Sequence, residues 1–280
     1  MYDITWPRAA LRRTVLSWFR RHGRDLSWRR TADPYRILVS EVMLQQTQVS
    51  RVLPAYARFL GRFPTLNALA NASLGDVLRE WSGLGYNRRA RDLHRIARAV
   101  GTALPRTAAE LDALPGVGPY TASAVACFAH EDTGAFADTN IRRVLGRTLI
   151  GRVATEREAV DLDRAFLAPR APAKWHHALM DIGATICLAR RPRCAACPLR
   201  GGCAYRGAEE PPRRKQTAFA DSERRVRGAI IRRLATATSP MTVRALRRGI
   251  GDVRVSRLVV VLEREGLVEV SDKGVRLPAR

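Results

Sequence analysis

Four cysteines fall within seventeen positions, spaced Cys187-x6-Cys194-x2-Cys197-x5-Cys203. Thiols this close point to a metal: unbridged thiolates are reactive, and a reducing compartment disfavours disulfides. Zinc would accept four thiolates, usually as two Cys-x2-Cys pairs, and the sequence has one such pair. Two carboxylates also stand apart. Glu41 lies in the apolar run Ile37-Leu-Val-Ser-Glu41-Val-Met, and Asp138 lies in Phe136-Ala-Asp138-Thr-Asn140, just ahead of a helix. Two carboxyl groups in different settings can divide acid–base work, one giving up a proton while the other stays ionised. Between them sits Leu114-Pro115-Gly116-Val117-Gly118, a turn expected to be too tight for a Cβ at two positions. Helices on either side of such a turn leave backbone N–H groups at a positive helix end, a geometry that grips a phosphate.

The elements that position these residues are helical. Leu11, Val15, Leu16 and Phe19 form one apolar face over 8–22, and Gly23 stops that helix. Further helices are expected from Asp33-Pro34, over Val49–Leu60, over Leu74–Trp81 with Ser73 as cap, and over Arg88–Val100 between Asn87 and Gly101. Thr107-Ala-Ala-Glu110 is a capping box for a short helix ending at Leu114, and Gly118-Pro119 opens the next, to about His130. Helices over Ile141–Leu149 and Trp175–Ala189 follow, with a polar loop between them. Residues 223–280 read as three helices and two short strands about an Asp272-Lys-Gly turn, the order of a winged helix.

Together these motifs resemble the helix-hairpin-helix DNA glycosylases of the endonuclease III-like iron–sulfur family. Within it, the run Ser40-Glu41-Val-Met-Leu-Gln45-Gln46-Thr47-Gln48-Val49 resembles a signature of the adenine-excising branch nearly letter for letter. The resemblance spans about 8–205. It implies a mainly α, two-lobed fold: a six-helix domain at 34–137, an iron–sulfur domain from 1–33 and 138–205, a linker at 206–222, and a winged-helix-like domain at 223–280.

It also assigns roles. Glu41 is then the general acid and Asp138 the carboxylate under the sugar, with Asn140 and Tyr120 hydrogen-bonding them. Gln46 enters the base stack beside Gln45, and Tyr86 of Gly83-Leu-Gly85-Tyr86 wedges beside the base opposite the target. Trp28 and Arg29 contact the flipped base, although Ser27 replaces the usual proline. Leu114, Gly116, Val117 and Gly118 meet the backbone. Cys187, Cys194, Cys197 and Cys203 hold a 4Fe–4S cluster that shapes a basic loop bearing Arg190, Arg191, Arg193 and Arg200. Tyrosine at 120, where lyase members carry lysine, implies a monofunctional enzyme. His177 stands where related adenine enzymes often carry Gln or Glu to read the base. The larger C-terminal domain that recognises 8-oxoguanine in those enzymes has no counterpart of its size here, so the C-terminal unit is expected to add mainly phosphate contacts.

The composition agrees with such a partner. Net charge is +23, from 49 basic and 26 acidic residues, and three of the basic ones are lysine. That excess calls for a polyanion, by default nucleic acid. With 46% hydrophobic residues the chain builds a core rather than staying disordered. No signal peptide or membrane span is legible. The expectation is a monomeric, cytoplasmic, nucleoid-associated enzyme acting on double-stranded DNA that contains a mismatch or oxidised guanine. A thymine or uracil mismatch glycosylase is the nearest alternative. A non-catalytic iron–sulfur DNA-binding regulator is a distant one, since it would have no need for Glu41 and Asp138 together.

Overall fold

The computed structural model describes residues 6–207 and 218–279. Among them the chain forms helices α1 (Arg8–His22), α2 (Pro34–Leu44), α3 (Val49–Arg62), α4 (Leu66–Ala70), α5 (Leu74–Glu80), α6 (Arg88–Val100) and α7 (Ala108–Asp112). Then come α8 (Pro119–His130), α9 (Thr139–Ile150), α10 (Glu156–Phe166), α11 (Pro172–Thr185), α12 (Glu223–Thr236), α13 (Val243–Ile250) and α14 (Val255–Arg264). The chain closes on an antiparallel hairpin of β1 (Glu269–Ser271) and β2 (Gly274–Arg276), with Val270 opposite Val275. The fold is mainly α, and no helix among the described residues is long and apolar enough to cross a membrane.

Side-chain caps set several helix starts. Ser73 Oγ accepts from the Asp76 N–H at 3.0 Å and opens α5. Thr107 and Glu110 cap each other's backbone N–H groups ahead of α7, which ends at Asp112 rather than Leu114. Thr155 and Glu158 do the same and start α10, in the stretch expected to be a polar loop. The Thr-x-x-Glu signal is present there. The charged residues of 156–164 obscure the apolar face of Ala159, Leu162 and Phe166 behind it. α4, capped by Thr65, is a further helix beyond those expected. Asn87 precedes α6 as expected, but its backbone is itself helical and its side chain makes no capping bond.

The described residues form two compact units. The first takes residues up to Ile37, Arg106–Asp112 and 118–207; the second takes Leu38–Pro105, Ala113–Val117 and 218–279. In the first unit, Leu11 and Val15 of α1, Ile141, Val144 and Leu145 of α9, and Trp175, Leu179 and Ile182 of α11 share one apolar core. Each such side chain contributes about 1.5–3 kcal/mol by leaving water. Trp175→Ala in that core costs about 3–5 kcal/mol. In the second unit, Phe59 meets Phe63 and Trp81 edge-on, with centroids 5.0 and 5.9 Å away.

These units cut across the sequence boundaries at 34, 138 and 223. α8 carries Ala124 and Cys127 into the first unit's core, while α12 packs on α5 in the second. The expected linker at 206–222 lies mostly outside the described residues.

Candidate functional site

Asp138 is the N-cap of α9. Its Oδ1 accepts the backbone N–H groups of Asn140 (2.8 Å) and Ile141 (2.7 Å), and its Oδ2 accepts the Asn140 side-chain amide at 2.7 Å. Burial raises the Asp138 pKa above the ordinary aspartate value, and these donors together with Arg143 offset only part of that rise. Asn140 is held in turn: its Oδ1 accepts from Arg143 Nη2 at 2.8 Å. α11 presses on it through Gly183, where a Cβ would sit 2.5 Å from Asn140 Cβ.

The segment leading to Asp138 rests on a buried polar network. Asp163 Oδ2 accepts the Phe136 N–H at 3.1 Å and lies 2.8 Å from His176 Nε2, while Oδ1 accepts Trp175 Nε1 at 2.8 Å. His176 stacks on Phe136 at 3.9 Å, and Phe136 meets the Tyr120 ring edge-on at 5.7 Å. Cys127 Sγ stands 3.5 Å from His176 Nδ1, but burial pushes its thiol far above the usual cysteine range, so it is no nucleophile. Nothing local in the sequence singles out Asp163 or His176: Asp163 falls in the stretch read as a polar loop and His176 in an expected helix, and only packing brings them together.

Trp28 is buried at the start of the same unit. Arg29 makes a two-pronged bond to Asp181, Nη1 to Oδ2 at 2.8 Å and Nη2 to Oδ1 at 2.9 Å, and Arg24 Nε adds a bond to Oδ1 at 2.7 Å. Burial alone would raise the Asp181 pKa, yet the two guanidinium groups turn the shift downward. Both terminal nitrogens of Arg29 are therefore engaged within the protein. His177 stacks on Phe128 at 4.1 Å. Burial and the nearby Arg29 charge hold its pKa well below the usual histidine value, so at neutral pH it is an uncharged ring with one donor and one acceptor.

The four cysteines Cys187, Cys194, Cys197 and Cys203 line a single cavity of about 310 Å³ with Arg147, Arg200 and Arg206. α11 ends at Thr185 rather than Ala189, and arginines of α9 take up the carbonyls beyond it. Arg143 Nε donates to Cys187 O at 2.5 Å, and Arg147 Nη1 and Nη2 donate to Leu188 O and Ala189 O at 2.8 Å each. One helix thus presents Asp138 at its N-terminus and braces the cysteine loop further along. Among the described residues, no three His, Cys, Asp or Glu side chains converge as ligands of a single metal ion.

The second unit holds Glu41, Gln45, Gln46 and Tyr86 together with Leu114, Gly116 and Val117 of the hairpin. Glu41 sits on α2 and is 8% exposed, in a helix that also buries Leu38, Val42 and Met43. Gln46 (φ 55°) and Tyr86 (φ 49°) occupy the left-handed region, which costs an L-residue about 1–2 kcal/mol. Arg89, missed in the sequence, fixes the backbone around both. Its Nη1 donates to the carbonyls of Val42, Met43 and Gln45 at 2.8, 3.0 and 2.6 Å, and Nη2 to Thr47 Oγ1 at 3.1 Å and Gly85 O at 3.2 Å. Burial lowers its pKa to about 10.

Leu114 and Val117 close the hairpin turn through Val117 N–H to Leu114 O at 3.2 Å. Gly116 has φ +73°, and a Cβ there would stand 2.9 Å from Asp92 Cβ. Gly118 has an ordinary φ of −112° with open space before it. The turn therefore requires glycine at one position, not two.

Comparison with known proteins matches this architecture. Residues 39–164 fit the model of the HhH-GPD superfamily base excision DNA repair protein. The adenine DNA glycosylase of Mycobacterium tuberculosis is 43% identical over 255 residues, covering 86% of this chain and 83% of that protein. The solved structure of a thermostable thymine-DNA glycosylase superposes with a TM-score of 0.63 at 29% identity, over 71% of this chain and 95% of that one. A trapped endonuclease III–DNA covalent intermediate shares the fold at a TM-score of 0.59 and 22% identity, over 71% and 96% of the two chains. With a relative this similar over most of both sequences, the chain belongs to the HhH-GPD superfamily of base excision DNA repair proteins, alongside the adenine DNA glycosylases.

Proposed function

We propose that this DNA glycosylase removes adenine paired with 8-oxoguanine or guanine in duplex DNA, acting as a monomer at the nucleoid and leaving an uncut abasic site. The setting of Asp138 carries this reading. A half-buried carboxylate at a positive helix end, held on both oxygens, can stabilise a sugar cation at C1′ without leaving its place. Glu41, buried on α2, protonates the departing purine as the C1′–N9 bond breaks, so the base leaves neutral; water then adds to C1′ and the proton it gives up restores the Glu41 carboxyl group. The adenine must first leave the stack. Gln46 and Tyr86 open the stack on the two sides of the gap, while Trp28 and His177 receive the base. A neutral imidazole keeps the donor and acceptor that an amide would offer to the adenine edge.

Four thiols and three arginines around one cavity suit a 4Fe–4S cluster held by Cys187, Cys194, Cys197 and Cys203. That group carries net negative charge with its thiolates and would serve to shape the basic loop. Arg190, Arg191, Arg193 and Arg200 then meet DNA phosphates.

A thymine or uracil mismatch specificity is the second reading, favoured by the solved thymine-DNA glycosylase. The Gln45-Gln46 run and the greater identity to adenine enzymes weigh against it. Base release from duplexes bearing A:8-oxoguanine, A:G, T:G and U:G decides between them. Adenine release from the first two is expected, with strand cleavage only after alkali. Release of thymine or uracil alone would overturn the reading, and efficient borohydride trapping on DNA would overturn the monofunctional mechanism at Tyr120.

A further inference from the structure

Tyr86 is gripped from two directions. Arg89 of α6 places its guanidinium 5.3 Å from the ring centroid. Arg224, on α12 of the C-terminal segment, lies 5.9 Å from the same ring and donates from Nη1 to the Tyr86 hydroxyl at 2.8 Å. These two residues are 138 positions apart in sequence. The ring is 37% exposed and follows two glycines with positive φ, Gly83 and Gly85.

The helix bearing Arg224 is not a loose appendage. α12 buries Val226, Ile230, Ile231 and Leu234. Glu265, at the end of α14, accepts from Arg88 Nη2 at 2.5 Å and from both terminal nitrogens of Arg227, while its carbonyl accepts from Arg91 Nη1 at 2.6 Å. The Pro278 carbonyl takes the Gly75 N–H at 2.9 Å, and a Cβ on Gly75 would stand 2.6 Å from that oxygen. These contacts tie α12, α14 and the tail to α5 and α6, the helices that flank the Tyr86 loop.

From this geometry we infer that Arg224 is a specificity-determining positioning residue: through the Tyr86 hydroxyl it fixes the ring that meets the base opposite the excised adenine. The inference rests on the role given above to Tyr86. Arg224 and Arg89 do different work. Arg89 holds the backbone of two loops, so its loss disturbs both, whereas Arg224 meets Tyr86 at the hydroxyl end of its side chain. The C-terminal segment then does more than add charge. It supplies part of the opposite-base reader, while the exposed Arg244, Arg247 and Arg248 of α13 remain available for phosphates.

Single-turnover adenine release from A:8-oxoguanine and A:G duplexes tests this in full-length protein. Arg224→Ala should change the ratio of the two rates by about fivefold, the worth of one hydrogen bond, with the thermal midpoint kept. Tyr86→Phe, which removes only the hydroxyl, should change the ratio equally, and the double variant should change it no further. Arg244→Ala with Arg247→Ala should weaken binding to both duplexes and leave the ratio alone. An unchanged ratio in Arg224→Ala, or effects that multiply in the double variant, would overturn the inference. Adenine release by the wild type in the same assay tests the underlying reading separately, and a wild type that releases none would overturn both.

Discussion

Asp138 shows how one side chain is caught between opposing forces. Burial favours its neutral form, and the N–H groups at the start of α9 favour its charged form. Since the proposed role needs the charge, base release should fall on the acid side as pH drops through a value above the ordinary aspartate pKa. Asn140→Ala removes the amide that bonds Oδ2 and so removes support for the ionised form. The Asp138 pKa then rises further, and the acid limb of the pH–rate profile should move to higher pH. A limb that stays in place would show that a different group governs it. His177 illustrates the same logic with the opposite sign, because burial and a neighbouring cation drive its proton off rather than on.

At the scale of elements, helix ends and turns carry the candidate chemistry. α9 has Asp138 at its cap and Arg143 and Arg147 reaching the cysteine loop. The hairpin before α8 distinguishes its glycines by backbone and by space. Gly116→Ala combines a positive φ with a contact to Asp92 and should destabilise the fold by about 1–2 kcal/mol, visible as a lower urea midpoint. Gly118→Ala meets neither obstacle and should leave the midpoint unchanged. If the open space before Gly118 admits a DNA phosphate, the Gly118 variant should lose duplex affinity while keeping its stability. Equal midpoints for the two variants would contradict the distinction.

Across the whole molecule, charge and the cysteine cavity set the expectations. An excess of 23 positive charges makes duplex affinity fall steeply with salt. The cavity among the four cysteines predicts brown protein with about four irons per chain after anaerobic purification. Cys197→Ser should lose that colour and iron together. Stoichiometric zinc with no iron would end the cluster assignment.

The sequence by itself determined what is local. The capping box at Thr107 and the Gly116 turn can be read because their physics acts within a few residues, while the run from Ser40 to Val49 and the 6-2-5 cysteine spacing are read by their resemblance to a family. Tertiary structure alone decided the partnerships. Asp181 with Arg24 and Arg29, Asp163 with His176 and Phe136, Arg89 beneath two strained loops, and Arg224 on Tyr86 each join segments far apart in the chain. A buried charge is stable only with a partner, but nothing in its neighbouring residues names that partner. In an arginine-rich chain most guanidinium groups look interchangeable, and packing selects the few that become internal clamps.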